Sequence, residues 1–487
     1  MQLLPLVLAA VSLQTVLAEF NPLQHSGPAS PYFDAPIEDD VSYDTPDNCV
    51  VDQAAYIVRH GARYPEPGSA NYWKTLAAKL KNGTYTVSGP LAFLASWTNP
   101  IDDTPHEPLY LSSTGALEAF SLGVQLRKLY KMTPGGSNFT LWSAGQQRVL
   151  DTATYFARGY LSQGNYITNT SANRANIIVL PDSVNYTFAD SLTSSAGCPR
   201  YASGDRSGPA TTAWRATWQN ATIARLNKYI QGLTLDVNDI GGFGDLCGFL
   251  TEVDGDSSFC NTYTDSEWLK YEYAHDLNYY YGAGPGNPYS ATVGYPWVKA
   301  MSDLFALGPG KTTPGGNITP PPLIMSFTHD NNLPPIMSAL GLWNNSDHEG
   351  VYPLSFTKPS DRRQFRASHI VSFRGYVALE RLSCTAHAPG KTVHHVANQT
   401  LTPQTKQYVR VRVNRAPVEI PACQSGPGRS CPLDQFTKYI NKDRAAVAGD
   451  FIGTCGLSGV ANATGVNSFF TVAPPNINNV LVGINNS

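Results

Sequence analysis

The chain has 487 residues, 15% of them Asp, Glu, Lys or Arg, and a formal net charge of −3. That length allows two domains or one large one, with a sizeable core. The negative balance excludes a broad basic face for nucleic acid but not a small basic pocket for an anionic substrate.

Met1 to Ala18 reads as a secretory signal. An apolar run, Leu3 to Val11, is broken only by Pro5, and Val16-Leu17-Ala18 forms a small-residue cleavage site, without the usual positive charge at the start. No later apolar run approaches the roughly 18 residues a membrane span needs. Ten Asn-x-Ser/Thr sequons agree with export, at Asn82, Asn138, Asn169, Asn185, Asn220, Asn317, Asn344, Asn398, Asn462 and Asn485. Eight cysteines, with no Cys-x-x-Cys spacing, predict disulfides formed in an oxidising compartment. Cys247–Cys260 and Cys423–Cys431 are the pairs nearest in sequence. The expected location is extracellular or cell wall.

Residues 19–48 are polar and rich in Pro and Asp, and predict an irregular arm. A strand over 53–58 follows, then a helix from Ala70 to Leu80 closed by Asn82-Gly83. Gly115 to Tyr130 predicts a stronger helix, with Leu117, Phe120, Val124 and the stem of Arg127 on its core face. Asn138 to Trp142 is a second short strand, and Val149 to Tyr160 a helix with Val149, Ala153, Phe156 and Tyr160 in register. Between about 160 and 300 the apolar stretches are mostly helical, so 161–299 reads as an inserted α-helical domain. Leu323 to Phe327 is an apolar strand, and Pro334-Pro335 opens a helix through Leu340 that Gly341 ends. Strands return at Ser372 to Leu382 and Gln407 to Val413. In the latter, Val409, Val411 and Val413 alternate with Arg410 and Arg412, as in a half-buried antiparallel strand near a sheet edge. Residues 440–487 are loop-rich. The expected fold is α/β, a mostly parallel sheet flanked by helices, built from 49–160 and 300–487.

Three strand-to-helix junctions carry the chemistry. Strand Ala54-Ala55-Tyr56-Ile57-Val58 runs into Arg59-His60-Gly61-Ala62-Arg63-Tyr64-Pro65. Two arginines four apart offer rigid forks of N–H donors that match phosphate oxygens. His60 between them offers a ring nitrogen of ordinary pKa ~6.5, a neutral nucleophile near or below pH 7. The second strand ends before Arg148, and the third at Thr328-His329-Asp330. Ligands bind beyond the carboxyl ends of strands in open α/β sheets. Three parallel strands would bring Arg59, His60, Arg63, Arg148, His329 and Asp330 to one rim, where helix N-termini also attract an anion. Other motifs carry less. Gly308-Pro309-Gly310-Lys311-Thr312 is half a phosphate-binding loop with Phe305 where a glycine is needed. His394-His395 are adjacent, not four apart, so they do not form a metal pair.

The first junction resembles the active-site signature of the histidine acid phosphatases. Ser143-Ala144-Gly145 leading to Arg148-Val149 is similar to the family's second arginine block, and His329-Asp330 with Asn332 to its third. Glu380-Arg381-Leu382-Ser383-Cys384 and Cys423-Gln424-Ser425-Gly426-Pro427-Gly428 resemble the fungal secreted acid phosphatase and phytase branch. The likeness covers roughly 45 to 435. It departs at Gln146-Gln147, where many relatives have small residues, and at Trp142, where several phytases have arginine. The resemblance implies phosphomonoester hydrolysis, phytate included, without metal or other cofactor. His60 would be the nucleophile and Asp330 the proton donor, with Arg59, Arg63, Arg148 and His329 on the phosphate. It also implies a Cys49–Cys384 bridge, which leaves Cys198 with Cys455. Relatives line the substrate pocket with the segment matching Glu267 to Tyr279, the phytate-selective ones with lysines near its end. Here Lys270 is the one fixed cation, against Glu267, Glu272 and Asp276, and Tyr279 stands about where such a lysine would be. His275 would add positive charge at acidic pH. The expected partner is a small phosphomonoester, with no nucleic acid and no membrane. Oligomeric state stays open, a homo-oligomer included. A mutase-like phosphotransferase would share the histidine but not the export features. A non-catalytic glycoprotein would not need His60 and Asp330 together.

Overall fold

The computed structural model describes residues 19–37, 41–101, 103, 107–130, 132, 139–162, 174–182, 189–314, 318–343, 350–385, 405–421, 423–465, 469–470 and 478–483. The signal segment, His394-His395 and the sequons at Asn138, Asn169, Asn185, Asn317, Asn344, Asn398 and Asn485 lie outside the described residues. Asn82, Asn220 and Asn462 are all exposed.

A nine-stranded sheet runs through the molecule. Its strands in chain order are β1 (Cys49–Arg59), β2 (Phe139–Ala144), β3 (Arg174–Leu180), β4 (Leu323–Thr328), β5 (Tyr376–Thr385), β6 (Thr405–Val413), β7 (Ala416–Val418), β8 (Cys431–Pro432) and β9 (Asn479–Gly483). The order across the sheet is β8-β6-β5-β1-β4-β2-β3-β9, with β7 on the side of β6. β1, β4, β2 and β3 are parallel, Ala54 opposite Leu323 and Leu141 opposite Met325. β5, β6 and β9 run antiparallel to their neighbours. β4 is buried throughout, which explains its unbroken apolar run.

The main helices are α1 (Pro67–Asn82), α2 (Ser113–Tyr130), α3 (Gln147–Leu161), α4 (Phe243–Val253), α5 (Asp265–Gly282), α6 (Ser290–Leu307) and α7 (Leu333–Leu340). Proline at the first turns of α1 and α7 uses a position whose N–H has no helical partner. Val149, Ala153, Phe156 and Tyr160 of α3 are fully buried, as their spacing predicts.

Four expectations need correction. The helical stretch does not begin at 161, because β3 belongs to the main sheet, beside β2. Among the described residues, the chain between Leu180 and Leu323 adds no strand to that sheet. A boundary at 299/300 would cut through α6, which packs on α7. On α2 the core face is Gly115, Ala119, Leu122, Gly123, Leu126 and Tyr130, while Leu117 is 65% exposed. The reason is backbone contact with α3: a Cβ on Gly123 would lie 2.2 Å from the Phe156 carbonyl oxygen, and one on Gly159 2.0 Å from that of Phe120. Glycine buries a helix face without supplying a large apolar side chain, so a hydrophobic pattern misses it. Finally, Arg410 and Arg412 of β6 are not on a solvated face. Both are buried against Glu380 of β5, with Nε–Oε2 distances of 2.7 and 2.9 Å.

The disulfides are Cys49–Cys384, Cys198–Cys455, Cys247–Cys260 and Cys423–Cys431. Cys49 and Cys384 stand directly opposite each other on β1 and β5.

Candidate active site

Strand hydrogen bonds continue past the end of β1. The Arg59 N–H donates to the Gly375 carbonyl at 2.8 Å and the His60 N–H to that of Thr328 at 3.0 Å. The Arg374 N–H returns a bond to the His60 carbonyl at 2.9 Å. One step on, the Gly61 N–H donates to Thr152 Oγ1 at 3.0 Å and the Ala62 N–H to Glu118 Oε2 at 3.3 Å. The start of α2 lies at backbone contact with this loop, since a Cβ on Gly61 would be 2.6 Å from the Gly115 oxygen. The signature is thus held by α2, α3, β4 and the chain entering β5. Its backbone polar groups are paired, as buried loops require.

This clamp presents His60, which is 1% exposed. Its Nδ1 lies 2.9 Å from the Gly61 carbonyl oxygen. A carbonyl only accepts, so Nδ1 carries the proton and Nε2 keeps its lone pair. Burial lowers the imidazole pKa well below its ordinary value, and the charges of Arg59, Arg63, Arg148 and His329 lower it further.

The expected partners are all here. Arg148, in the first turn of α3, places Nη2 3.4 Å from His329 Nδ1, and the His329 ring centroid is 5.8 Å from that of His60. Arg59 Nη2 is 3.0 Å from Asp330 Oδ2. Arg63 donates from Nη1 to the Tyr64 carbonyl at 2.9 Å and from Nη2 to Glu66 Oε1 at 3.1 Å. Burial and the neighbouring Arg59 charge bring Arg63 down to about 10. Among the described residues the buried Nε atoms of Arg59, Arg63 and Arg148 have no hydrogen-bond partner, nor does Nε2 of His329, whose ion-pair contact is Asp182 Oδ2 at 3.8 Å. Unpaired donors converging from three elements are matched by the oxygens of a phosphate.

Asp330 feels opposing influences. Burial raises its pKa, but Arg59, Arg63, His329 and a hydrogen bond from Tyr279 outweigh this and hold it below the usual carboxylate value. An Asp330 that donates a proton needs the arginine charge offset, which a bound phosphate does.

Several site residues carried no signal along the sequence. Arg59 Nη1 donates to the carbonyl of Pro28 at 2.5 Å and to that of Val371, and its guanidinium lies 4.5 Å from the Phe373 ring centre. Asp182, just after β3, places Oδ2 3.8 Å from His329 Nε2. No local pattern points from Arg59 to residues 31 or more than 300 positions away. Thr152 and Glu66 were easier, four residues after Arg148 and three after Arg63.

The segment Glu267 to Tyr279 differs from its expected role. Glu267 pairs with Arg225 at 2.5 Å. Glu272 pairs with His25, Arg363 and Arg366, and Asp276 with Arg363 at 2.7 Å. His275 packs against Gly27 of the arm and the Tyr271 ring. Burial first, and the charge of Arg215 second, push its imidazole down to about 3. Above that value a neutral ring does not add the positive charge expected of it at acidic pH. Tyr279 alone of these residues hydrogen-bonds the site, at Asp330.

Sequence comparison agrees with this geometry. The profile of the histidine phosphatase superfamily (branch 2) matches residues 50–414. The chain belongs to that family. It is a histidine-type phosphatase, similar at 29% identity to an acid phosphatase of Komagataella pastoris, over 93% of this chain and 90% of the relative. It is also 29% identical to a phytase of Candida albicans, over 91% and 89%. The phytase structure from D. castellii superimposes with a TM-score of 0.77, at 23% identity, over 95% of this chain and 94% of that one. The fold of this phosphatase is therefore the phytase fold. Among the described residues no group of three His, Cys, Asp or Glu is placed to hold a metal ion, and no helix is long and apolar enough to cross a membrane.

Proposed function

We propose that the chain is an exported acid phosphatase of broad specificity that hydrolyses phosphate monoesters, phytate among them, through a phosphohistidine. The observation that carries this reading is the His60 ring, tied through Nδ1 to the Gly61 carbonyl amid Arg59, Arg63, Arg148 and His329. Export is supported by the signal segment, the sequons and four disulfides.

The phosphoryl oxygens lie on the arginines and His329, which hold the phosphorus in line with His60. Nε2 forms a bond to phosphorus as the ester oxygen leaves with the proton of Asp330. Asp330, now a carboxylate, takes a proton from water while the water oxygen attacks phosphorus. The P–N bond breaks, and phosphate and neutral His60 are restored. The arginines supply the charge that Mg²⁺ supplies in other phosphoryl-transfer enzymes. Acidic operation follows from two groups. His60 stays neutral at low pH because burial first, and its cationic surroundings second, disfavour protonation. Asp330 must hold a proton in the complex, so activity falls as pH rises past its pKa there.

Breadth is supported by the pairing of Glu267, Glu272 and Asp276 and by the neutral Tyr279 at the site, which leave the reacting phosphate as the main recognised group. Rapid quench into alkaline denaturant with ³²P-labelled substrate tests the intermediate. Acid-labile, base-stable label is expected on wild type and none on His60→Ala. Label on another residue type, or full turnover by His60→Ala, refutes the mechanism.

A further inference from the structure

Glu66 ends the signature loop at the residue preceding α1, a position where side chains commonly cap the helix. It makes no side-chain cap bond. Instead its Oε1 accepts from Arg63 Nη2 at 3.1 Å, its side chain 59% exposed and that of Arg63 only 6%. Glu66 also acts on Arg148, where among carboxylates it ranks second to Asp330. One partly exposed carboxylate is therefore bonded to Arg63 and its charge also reaches Arg148, while the buried Nε atoms of both arginines have no hydrogen-bond partner among the described residues.

We propose that Glu66 is a selectivity residue, a tethered anion that competes with substrate for the outer donors of Arg63 and repels any further phosphate beside the reacting one. This rests on the phosphatase reading above. A monoester with one phosphate reaches the inner donors and meets Glu66 only at its edge. A polyphosphorylated ring brings added negative charge to the mouth, where the carboxylate already stands. Glu66 thus favours singly phosphorylated, uncharged-bodied substrates. The charged neighbours that define its surroundings are Arg63 on its own loop and Arg148 on α3, with Arg59 and Asp330 behind Arg63. The contrary role is a plain i,i+3 pair that steadies Arg63, and the two roles predict opposite signs.

The test is steady-state kinetics of the mature wild type, Glu66→Gln and Glu66→Lys at one pH near 5.5. Substrates are an aryl phosphate and myo-inositol hexakisphosphate, with inorganic phosphate as competitive inhibitor. Glu66→Gln is expected to lower the phosphate inhibition constant and the aryl phosphate KM about two- to five-fold, and Glu66→Lys further, in line with a partly exposed pair. The ratio of kcat/KM for hexakisphosphate over aryl phosphate should rise about three- to ten-fold, and the gain should shrink in ~1 M salt, where screening is strong. A higher KM or phosphate inhibition constant in Glu66→Gln means steadying and overturns the proposal. An unchanged ratio in both variants overturns the selectivity. A wild type inactive on aryl phosphate would instead sink the phosphatase reading itself.

Discussion

The two halves of the sheet each bury a cluster of arginines against a carboxylate, with opposite outcomes. In the antiparallel half, Arg410 and Arg412 of β6 share Glu380 of β5, Tyr130 donates to the same carboxylate at 2.5 Å, and Arg412 also donates to the carbonyls of Tyr43 and Arg415. The guanidinium donors there are taken up by Glu380 and by backbone carbonyls, although two arginines on one carboxylate stay net positive. At the carboxyl end of the parallel strands, Arg59, Arg63 and Arg148 face Asp330 and Glu66, and each arginine keeps a buried Nε with no hydrogen-bond partner among the described residues. Buried charge does not by itself mark an active site. The mark is several unmatched donors gathered around one nucleophile, since single arginines such as Arg374 and Arg381 also keep unmatched nitrogens elsewhere, and leaving donors unmatched costs stability unless a ligand uses them.

The comparison breaks most sharply at Asp330. Asp330→Asn removes the proposed proton donor but keeps the shape. An alkyl or sugar oxygen needs that proton to leave, and a nitrophenolate does not. The kcat loss should be ~10²–10⁴-fold on a sugar phosphate and far smaller on nitrophenyl phosphate, measured side by side. Equal losses would make Asp330 a binding residue and weaken the contrast between halves.

Glu380 tests the other half. Burial raises its pKa, but Arg410, Arg412 and the Tyr130 hydrogen bond bring it down to about 2. A carboxyl depressed in the folded state stabilises above its unfolded pKa of roughly 4.3 and loses that contribution as pH falls toward 2. Glu380→Gln should therefore cost about 3 kcal/mol near pH 6, by order of magnitude, and almost nothing more at pH 2. Denaturant titrations at both pH values read this. The kcat of the folded fraction should stay within about two-fold. A large kcat loss would show that the antiparallel half also serves the chemistry.

The smallest effect belongs to His275. With its imidazole pushed down to about 3 by burial, it carries no charge across most of the acidic range. The phytate to aryl phosphate ratio of kcat/KM should be the same for wild type and His275→Ala from pH 4 to 6.5, within about two-fold, because a neutral ring adds no field there. A ratio that falls on substitution only at the acidic end would restore the charge role that its buried setting removes.

The three junctions were legible because each is local: an apolar strand, then a charged group, then a helix start. Arg59, His60 and Arg63 share one loop, and Arg148 and His329-Asp330 each close a strand. The face of α2 was not legible, since glycine contacts are made by the backbone and leave no apolar stripe. The burial of Arg410 and Arg412 was hidden too, because alternation of valine and arginine describes a solvated face until Glu380 is known to stand opposite. His275 failed for the same reason: nothing near it in sequence reveals that the arm closes over it.

The sequence by itself determined the three strand-to-helix junctions and their phosphate-binding chemistry, and through the resemblance they carry the reaction class, because these depend on side-chain chemistry and short-range periodicity. Only the tertiary structure decided which donors are matched and which are left for substrate. Pairing joins residues such as Arg59 and Val371, 312 positions apart, and Glu380 and Tyr130, 250 apart. Whether a charge is matched depends on burial and on distances of a few ångströms across the fold, and Coulomb interaction and desolvation act on those distances rather than on separation along the chain.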